Sequence, residues 1–328
     1  MRPRIALLLG PGTLPSRGAD RMDLAKYRKS GHQQMTGEEL LAAVPEIAAI
    51  AEVRAEPGQQ GIATAEDLRR LALRFNELLS SEACDGAVFV QGTNSIEETA
   101  FFLNLTVRSD KPLVVTGAQR PFTALSSDAP LNLYDAVRVA AHADSRGKGV
   151  VVVTNGEINA GRDVTKTNTY HLQTFRSRDL GLLGYADADA VVYYRQPTRP
   201  HTRGSEFDLA AIPALPRVDI LFIGTATQPG LAKAAVSLGA KGIVVAGTGA
   251  GSLGNLEAEL AAIAASGQAI VVRSSRTGEG RVVVDDNWQQ PGMVAADSLS
   301  PQKAALLLAL ALTRGSDAAA IQRCFDKY

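Results

Sequence analysis

Seven short apolar runs, rich in β-branched residues, constrain this chain's fold more than any other feature. They are RIALLL from Arg4, GAVFV from Gly86, PLVVTG from Pro112, GVVVVTN from Gly149, VDILFIG from Val218, GIVVAG from Gly242 and AIVVRSS from Ala269. None alternates polar with apolar, so each suits a strand covered on both faces, as in parallel sheets. Between them lie segments with helical periodicity: TAEDLRRLALRFNELL, NLYDAVRVAAHA, GLAKAAVSLG and LEAELAAIAAS. Strands alternating with helices predict an α/β protein with a doubly wound sheet. In such sheets ligand sites gather at the carboxyl ends of the strands.

The pattern breaks once. The stretch from Arg195 to Arg217, RQPTRPHTRGSEFDLAAIPALPR, is rich in Pro and charge and weakly periodic. It reads as a linker over 196–217, between a large N-terminal doubly wound domain over 1–195 and a smaller C-terminal parallel α/β domain over 218–328. The chain closes in two helices, with Ser300 as an N-cap and Pro301 at the first helical position. The start, MRPRIALLLGPGT, has an apolar run too short for a secretory leader and reads as a first strand.

Charge narrows the function. Lys plus Arg and Asp plus Glu both number 34, which argues against nucleic acid or a membrane surface as partner. Cys84 and Cys324 sit in no metal or redox motif and read as reduced thiols of a cytoplasmic protein. The four histidines show no ligand spacing, so neither a metal nor another cofactor is expected. GTGAGSLGN, from Gly247, lacks the full dinucleotide fingerprint and reads as a tight turn. The sequon at Asn104 falls in a helical segment.

Hydroxyls, by contrast, recur at strand ends. Thr13 follows a glycine turn in LLLGPGTL. Thr93 sits in QGTNS, and Lys166 stands among Thr165, Thr167 and Asn168 in GRDVTKTNT. A partly desolvated lysine beside a threonine hydroxyl can serve as its base, and turn N–H groups can serve an oxyanion. Threonines at strand ends are also ordinary caps, so the spacing leaves both readings open.

Six blocks in order carry a resemblance: GTNSIEETAFFLNLT, KPLVVTGAQRP, SSDAPLNLYDAV, GRDVTKTNTYHLQTF, GIVVAGTGAGSLG and VVRSSRTGEGRV. Through them the chain resembles the bacterial L-asparaginases, threonine-nucleophile amidohydrolases, over nearly its whole length. The resemblance implies a two-domain α/β fold, a homodimer or homotetramer with shared active sites, and a small-molecule amide substrate. It implies Thr13 as the residue acylated, Thr93 paired with Lys166 as proton carriers, and Tyr27 as the lid tyrosine that activates Thr13. It places the backbone of Ala118 beside the leaving nitrogen.

The same resemblance exposes departures. Position 94 is an aspartate in asparaginases, where it grips the substrate's α-ammonium and orders the lysine; here it is Asn94. The carboxylate-binding serine falls at Gln60, the neighbouring subunit's asparagine and glutamate at Ala226 and Val283, and the histidine before the second threonine at Gln91. TGGT has become GPGT, with Gly10 and Pro11. Three changes remove polarity or charge around the ammonium while Thr13, Thr93 and Lys166 remain. Three readings follow: an amidohydrolase whose substrate lacks the ammonium or presents it differently, a genuine L-asparaginase, and a silent binding protein on this scaffold.

Overall fold

The computed structural model describes residues 2–27, 33–59, 61–285 and 292–328. The chain divides into two compact units, Met1–Leu209 and Ala210–Tyr328.

The first unit is built on an eight-stranded sheet. Its strands are β1 (Arg4–Leu9), β2 (Glu52–Gln59), β3 (Gly86–Val90), β4 (Leu113–Thr116), β5 (Val150–Thr154), β6 (Glu157–Ala160), β9 (Gly184–Ala186) and β10 (Val191–Tyr193), with a separate two-stranded ribbon of β7 (Thr165–Lys166) and β8 (Phe175–Arg176). The order across the sheet is β10-β9-β6-β5-β4-β3-β1-β2. Strands β2, β1, β3, β4 and β5 run parallel, whereas β6, β9 and β10 pair antiparallel. The sheet is therefore mixed, and the strand order reverses direction between β1 and β3.

The antiparallel edge has a local cause. Thr154 pairs directly with Glu157, leaving a two-residue turn of Asn155 and Gly156, both at positive φ (54° and 73°). Asn-Gly is the dipeptide that such turns select, because both central residues need φ > 0.

Helices cover both faces, which is why the central strands lack alternation. Helices α1 (Gly37–Ala43), α2 (Ile47–Ile50) and α5 (Ala129–Ala141) bury Leu40, Ile47, Leu133 and Val137 against Ile5, Leu7, Val88 and Val114. On the other face, Phe75 of α3 (Ala65–Ser80) meets Phe89 of β3 edge-on, centroids 6.0 Å apart. Every residue of α4 (Ile96–Thr106) except Glu98 is buried. Asn104 on that helix spends its Oδ1 accepting from the Val150 amide at 3.0 Å, so the sequon is a buried structural contact. Helix α3 begins with a capping box in which Thr64 Oγ1 accepts from the Asp67 amide while the Asp67 carboxylate accepts from that of Thr64.

One carboxylate in this core is expensive. Asp135 on α5 is 2% exposed and accepts from Arg138 Nη1 at 3.1 Å. Burial pushes its carboxyl from 3.8 up to about 6, against the pull of Arg138.

Residues beyond Arg195 continue to pack on the first unit. Phe207 is 1% exposed, and the Arg108 guanidinium donates to the Ser205 carbonyl.

The second unit holds a parallel sheet in the order β11-β12-β13-β14: Val218–Phe222, Gly242–Gly247, Ile270–Ser275 and Met293–Ala295. Helices α6 (Leu231–Ser237), α7 (Glu257–Ala265), α8 (Pro301–Leu312) and α9 (Ala318–Lys327) accompany it. The GTGAGSLGN stretch is a turn in which Thr248 bridges Ser252; a Cβ on Gly247 would meet the Gly251 carbonyl carbon at 2.7 Å. Ser300 does precede α8 with Pro301 at the first position, but it makes no capping bond; its hydroxyl is buried without a partner. Neither Cys84 nor Cys324 forms a disulfide among the described residues. No described helix is long and apolar enough to cross a membrane.

Candidate active site

The reversal of strand order between β1 and β3 opens a crevice at their carboxyl ends, where an open α/β sheet presents ligands to its loops. Two loops meet there. Gly10 N donates to Val90 O at 2.6 Å, and Gly92 N donates to Pro11 O at 3.0 Å. The approach is tight enough to demand glycine: a Cβ on Gly12 would fall 2.4 Å from the Gly92 nitrogen and 2.6 Å from its Cα. These contacts bring Thr13, after β1, and Thr93, after β3, to one cavity of about 610 Å³.

Thr13 is 4% exposed, and its Oγ1 lies 2.7 Å from the Tyr27 hydroxyl. Tyr27 sits in a loop that closes on itself, with Ser16 bridged to Gln34 and Met35 N donating to Pro15 O at 2.7 Å. A second loop pins it, through Phe122 N to Ser16 O at 2.9 Å and Leu125 N to Arg21 O at 2.8 Å.

Thr93 opens a short 3₁₀ turn that leads into α4, so its side chain is presented at the start of a helix. Lys166 Nζ donates to Thr93 Oγ1 at 2.7 Å. The β7–β8 ribbon holds that lysine. Its hydroxylated neighbours serve the turn: Thr167 Oγ1 donates to Thr174 O at 2.9 Å, and Asn168 Oδ1 accepts from the amides of Tyr170 and His171 at 2.9 Å. The Thr165 hydroxyl donates to the buried Glu97 carboxylate, which also lines the cavity. So in this cluster the lysine faces the cavity chemistry, while Thr165, Thr167 and Asn168 build its support.

The sequence reading missed Gln119. Thr93 Oγ1 donates to Gln119 Oε1 at 3.2 Å, and Lys166 Nζ donates to the same oxygen at 3.3 Å. The signal was present in TGAQRP, a polar side chain next to the Ala118 backbone, but spacing alone does not tell that it turns toward Thr93. Asp128 was missed as well. It precedes α5 yet makes no cap; its carboxylate instead accepts from the amides of Gln119 and Arg120, both at 2.9 Å, and fixes that loop.

Of the substrate-contact candidates, Asn94 lines the cavity, is exposed, and makes no side-chain hydrogen bond among the described residues. Ala118 is 1% exposed and sits at the root of the Gln119 loop. Gln60 lies outside the described residues. Ala226 and Val283 belong to the second unit and are solvent-exposed, Val283 at 45%. Gln91 is buried, with its Oε1 unpartnered and its Nε2 donating to Gly92 O at 3.3 Å.

Two strand-end threonines, one bonded to a tyrosine and the other to a lysine, make an arrangement in which a hydroxyl can be activated by a neighbouring proton acceptor. Comparison with known proteins identifies the class further. The family described as "Asparaginase, N-terminal" matches residues 4–199, and "Glutaminase/Asparaginase C-terminal domain" matches 217–325. The chain belongs to the asparaginase family, amidohydrolases that act on linear amides. It is 42% identical to L-asparaginase 2 of Bacillus subtilis (strain 168), over 99% of this chain and 87% of the relative. It is 38% identical to a glutaminase-asparaginase of Pseudomonas fluorescens biotype A, over 99% and 90%. The crystal structure of a probable cytoplasmic L-asparaginase from Campylobacter jejuni superposes with a TM-score of 0.93 at 39% identity, covering 100% of both chains.

Proposed function

We propose that this chain hydrolyses a small carboxamide to its carboxylate and ammonia through an acyl-enzyme on Thr13, and that the substrate lacks an α-ammonium or presents it away from Asn94. Thr13 Oγ1 attacks the amide carbonyl. Tyr27, 2.7 Å away, takes the threonine proton and passes its own to the leaving nitrogen, so ammonia departs as the C–N bond breaks. Water then attacks the ester. Its proton moves through Thr93 to Lys166 in neutral form, the ester C–O bond breaks, and the protonated Lys166 returns that proton through Thr93 to the departing Thr13 oxygen, which restores all three groups. The helix start at Thr93 offers N–H groups that have no intrahelical acceptor to the oxyanion.

Asn94 carries the substrate reading. It lines the cavity, exposed and neutral, where the family resemblance implies a carboxylate. An ammonium brought there loses hydration without gaining a charged partner. The loss at such a contact is roughly 2–5 kcal/mol, or tens to thousands in specificity. The overall similarity to proteins named L-asparaginase favours a second reading, asparagine itself as substrate. Measuring kcat/KM for L-asparagine against succinamate separates the two. Succinamate should be preferred by the wild type, and the double variant Asn94→Asp with Val283→Glu should shift preference toward asparagine. A wild type that prefers asparagine at ordinary asparaginase efficiency overturns the proposal.

In this reading the protein is cytoplasmic, and Ala226 and Val283 complete the site of a neighbouring copy in a homodimer or homotetramer. Activity should then vanish on dilution as subunits separate; full activity in a proven monomer contradicts the shared site.

A further inference from the structure

Gln119 stands on the loop after β4, and its main chain is held by Asp128. Its side-chain nitrogen donates to two backbone carbonyls, Thr169 O at 3.4 Å and His171 O at 3.1 Å. An amide nitrogen only donates and an amide oxygen only accepts. The reversed amide would set its oxygen against two carbonyl oxygens and its NH₂ against an ammonium, so the surroundings determine the orientation. The oxygen therefore faces Thr93 Oγ1 at 3.2 Å and Lys166 Nζ at 3.3 Å. Three groups close a triangle in which the lysine donates to both others and the threonine donates to the glutamine.

We propose that Gln119 is the positioning residue of the Thr93–Lys166 pair: its neutral acceptor oxygen clamps Lys166 Nζ beside Thr93 Oγ1. Asn94, the neighbour of Thr93, makes no side-chain bond among the described residues, whereas Gln119 Oε1 bonds both members of the pair. The neutrality of the acceptor matters. An apolar side chain leaves the ammonium and the hydroxyl less well held, whereas a carboxylate binds the ammonium so firmly that the lysine no longer gives up its proton readily. The same amide also ties the pair to residues 169–171, at the cavity wall.

The proposal rests on the reading of Lys166 as proton acceptor, and its test separates the two. Gln119 is half-buried on a loop whose main chain Asp128 holds, so Gln119→Met and Gln119→Glu should fold, and unchanged melting temperatures will confirm it. The titration of Lys166 is followed by NMR on ¹³C-lysine-labelled protein, with its resonance assigned by Lys166→Arg. The pH–rate profile is measured alongside on succinamate and asparagine. Gln119→Met should move the lysine midpoint and the acid limb of the rate profile down by on the order of one pH unit, and Gln119→Glu should move both up by about as much. At its optimum Gln119→Met should lose roughly tenfold to a hundredfold in kcat, with a smaller change in KM. Midpoints that stay put, or that move in the same direction in both variants, overturn the proposal, because a merely structural residue has no reason to shift them in opposite senses. A wild type that turns over neither amide refutes the hydrolase reading, while the lysine titration still decides the role of Gln119.

Discussion

Replacing Gly12 with alanine tests whether the two site loops meet as described. The added Cβ would stand 2.4 Å from Gly92 N, 2.6 Å from Gly92 Cα and 2.8 Å from the Gln91 carbonyl carbon, all of them backbone atoms that cannot rotate away. Ordinary contact begins near 3.4 Å, so the loop after β1 must retreat from the loop after β3 by about 1 Å. Overpacking of this kind costs about 1–3 kcal/mol. In a unit of this size each kcal/mol lowers the melting temperature by about 2–4 °C. The catalytic cost is larger in proportion, because the displacement separates Thr13 from Thr93. A misplacement of about 1 Å can lower the rate by about a hundredfold. The control is Gly204→Ala, where the new Cβ has nothing within 4 Å and the backbone is not left-handed. Ammonia release gives kcat/KM and circular dichroism gives the melting temperature. A Gly12→Ala protein that keeps both, like the Gly204→Ala control, would show that the loops do not approach each other and would remove the basis for a shared Thr13–Thr93 site.

Two further outcomes follow from the site and the core. Thr13→Ala and Lys166→Met should each lower kcat by about a hundredfold or more with little change in melting temperature, and near-full activity in Thr13→Ala would exclude it as nucleophile. Asp135, raised from 3.8 to about 6 by burial, binds its proton more tightly folded than unfolded. Its stabilising contribution is thus fully present below about pH 3.8 and is lost as pH rises through about 6. The shift is worth roughly 3 kcal/mol, so the stability gap between wild type and Asp135→Asn should widen in the variant's favour by up to that amount from pH 4 to pH 7. Denaturant unfolding at both pH values measures it, and a pH-independent gap rules the argument out.

The amino-acid sequence alone determined the elements. Continuous apolar runs such as GAVFV and GVVVVTN marked strands covered on both faces, and Phe89 and Val152 are indeed inaccessible. Thr64 marked the start of a helix because its hydroxyl and Asp67 satisfy each other's orphan amides three residues apart. The antiparallel edge was also written locally, in Asn155-Gly156, although the apolar run leading into it reads as one more parallel strand. The family was legible in six ordered blocks, and with it Thr13, Thr93 and Lys166 as candidates. What decided their meeting was tertiary. Lys166 lies 73 positions from Thr93, and the 2.7 Å bond between them exists because α4, the β7–β8 ribbon and the switch between β1 and β3 converge. Gln119 could not be singled out in advance, since its side chain is oriented by the carbonyls of Thr169 and His171, roughly fifty residues further on. Periodicity records which face of an element is buried. The direction of a polar side chain on a loop depends on partners that only the folded chain supplies.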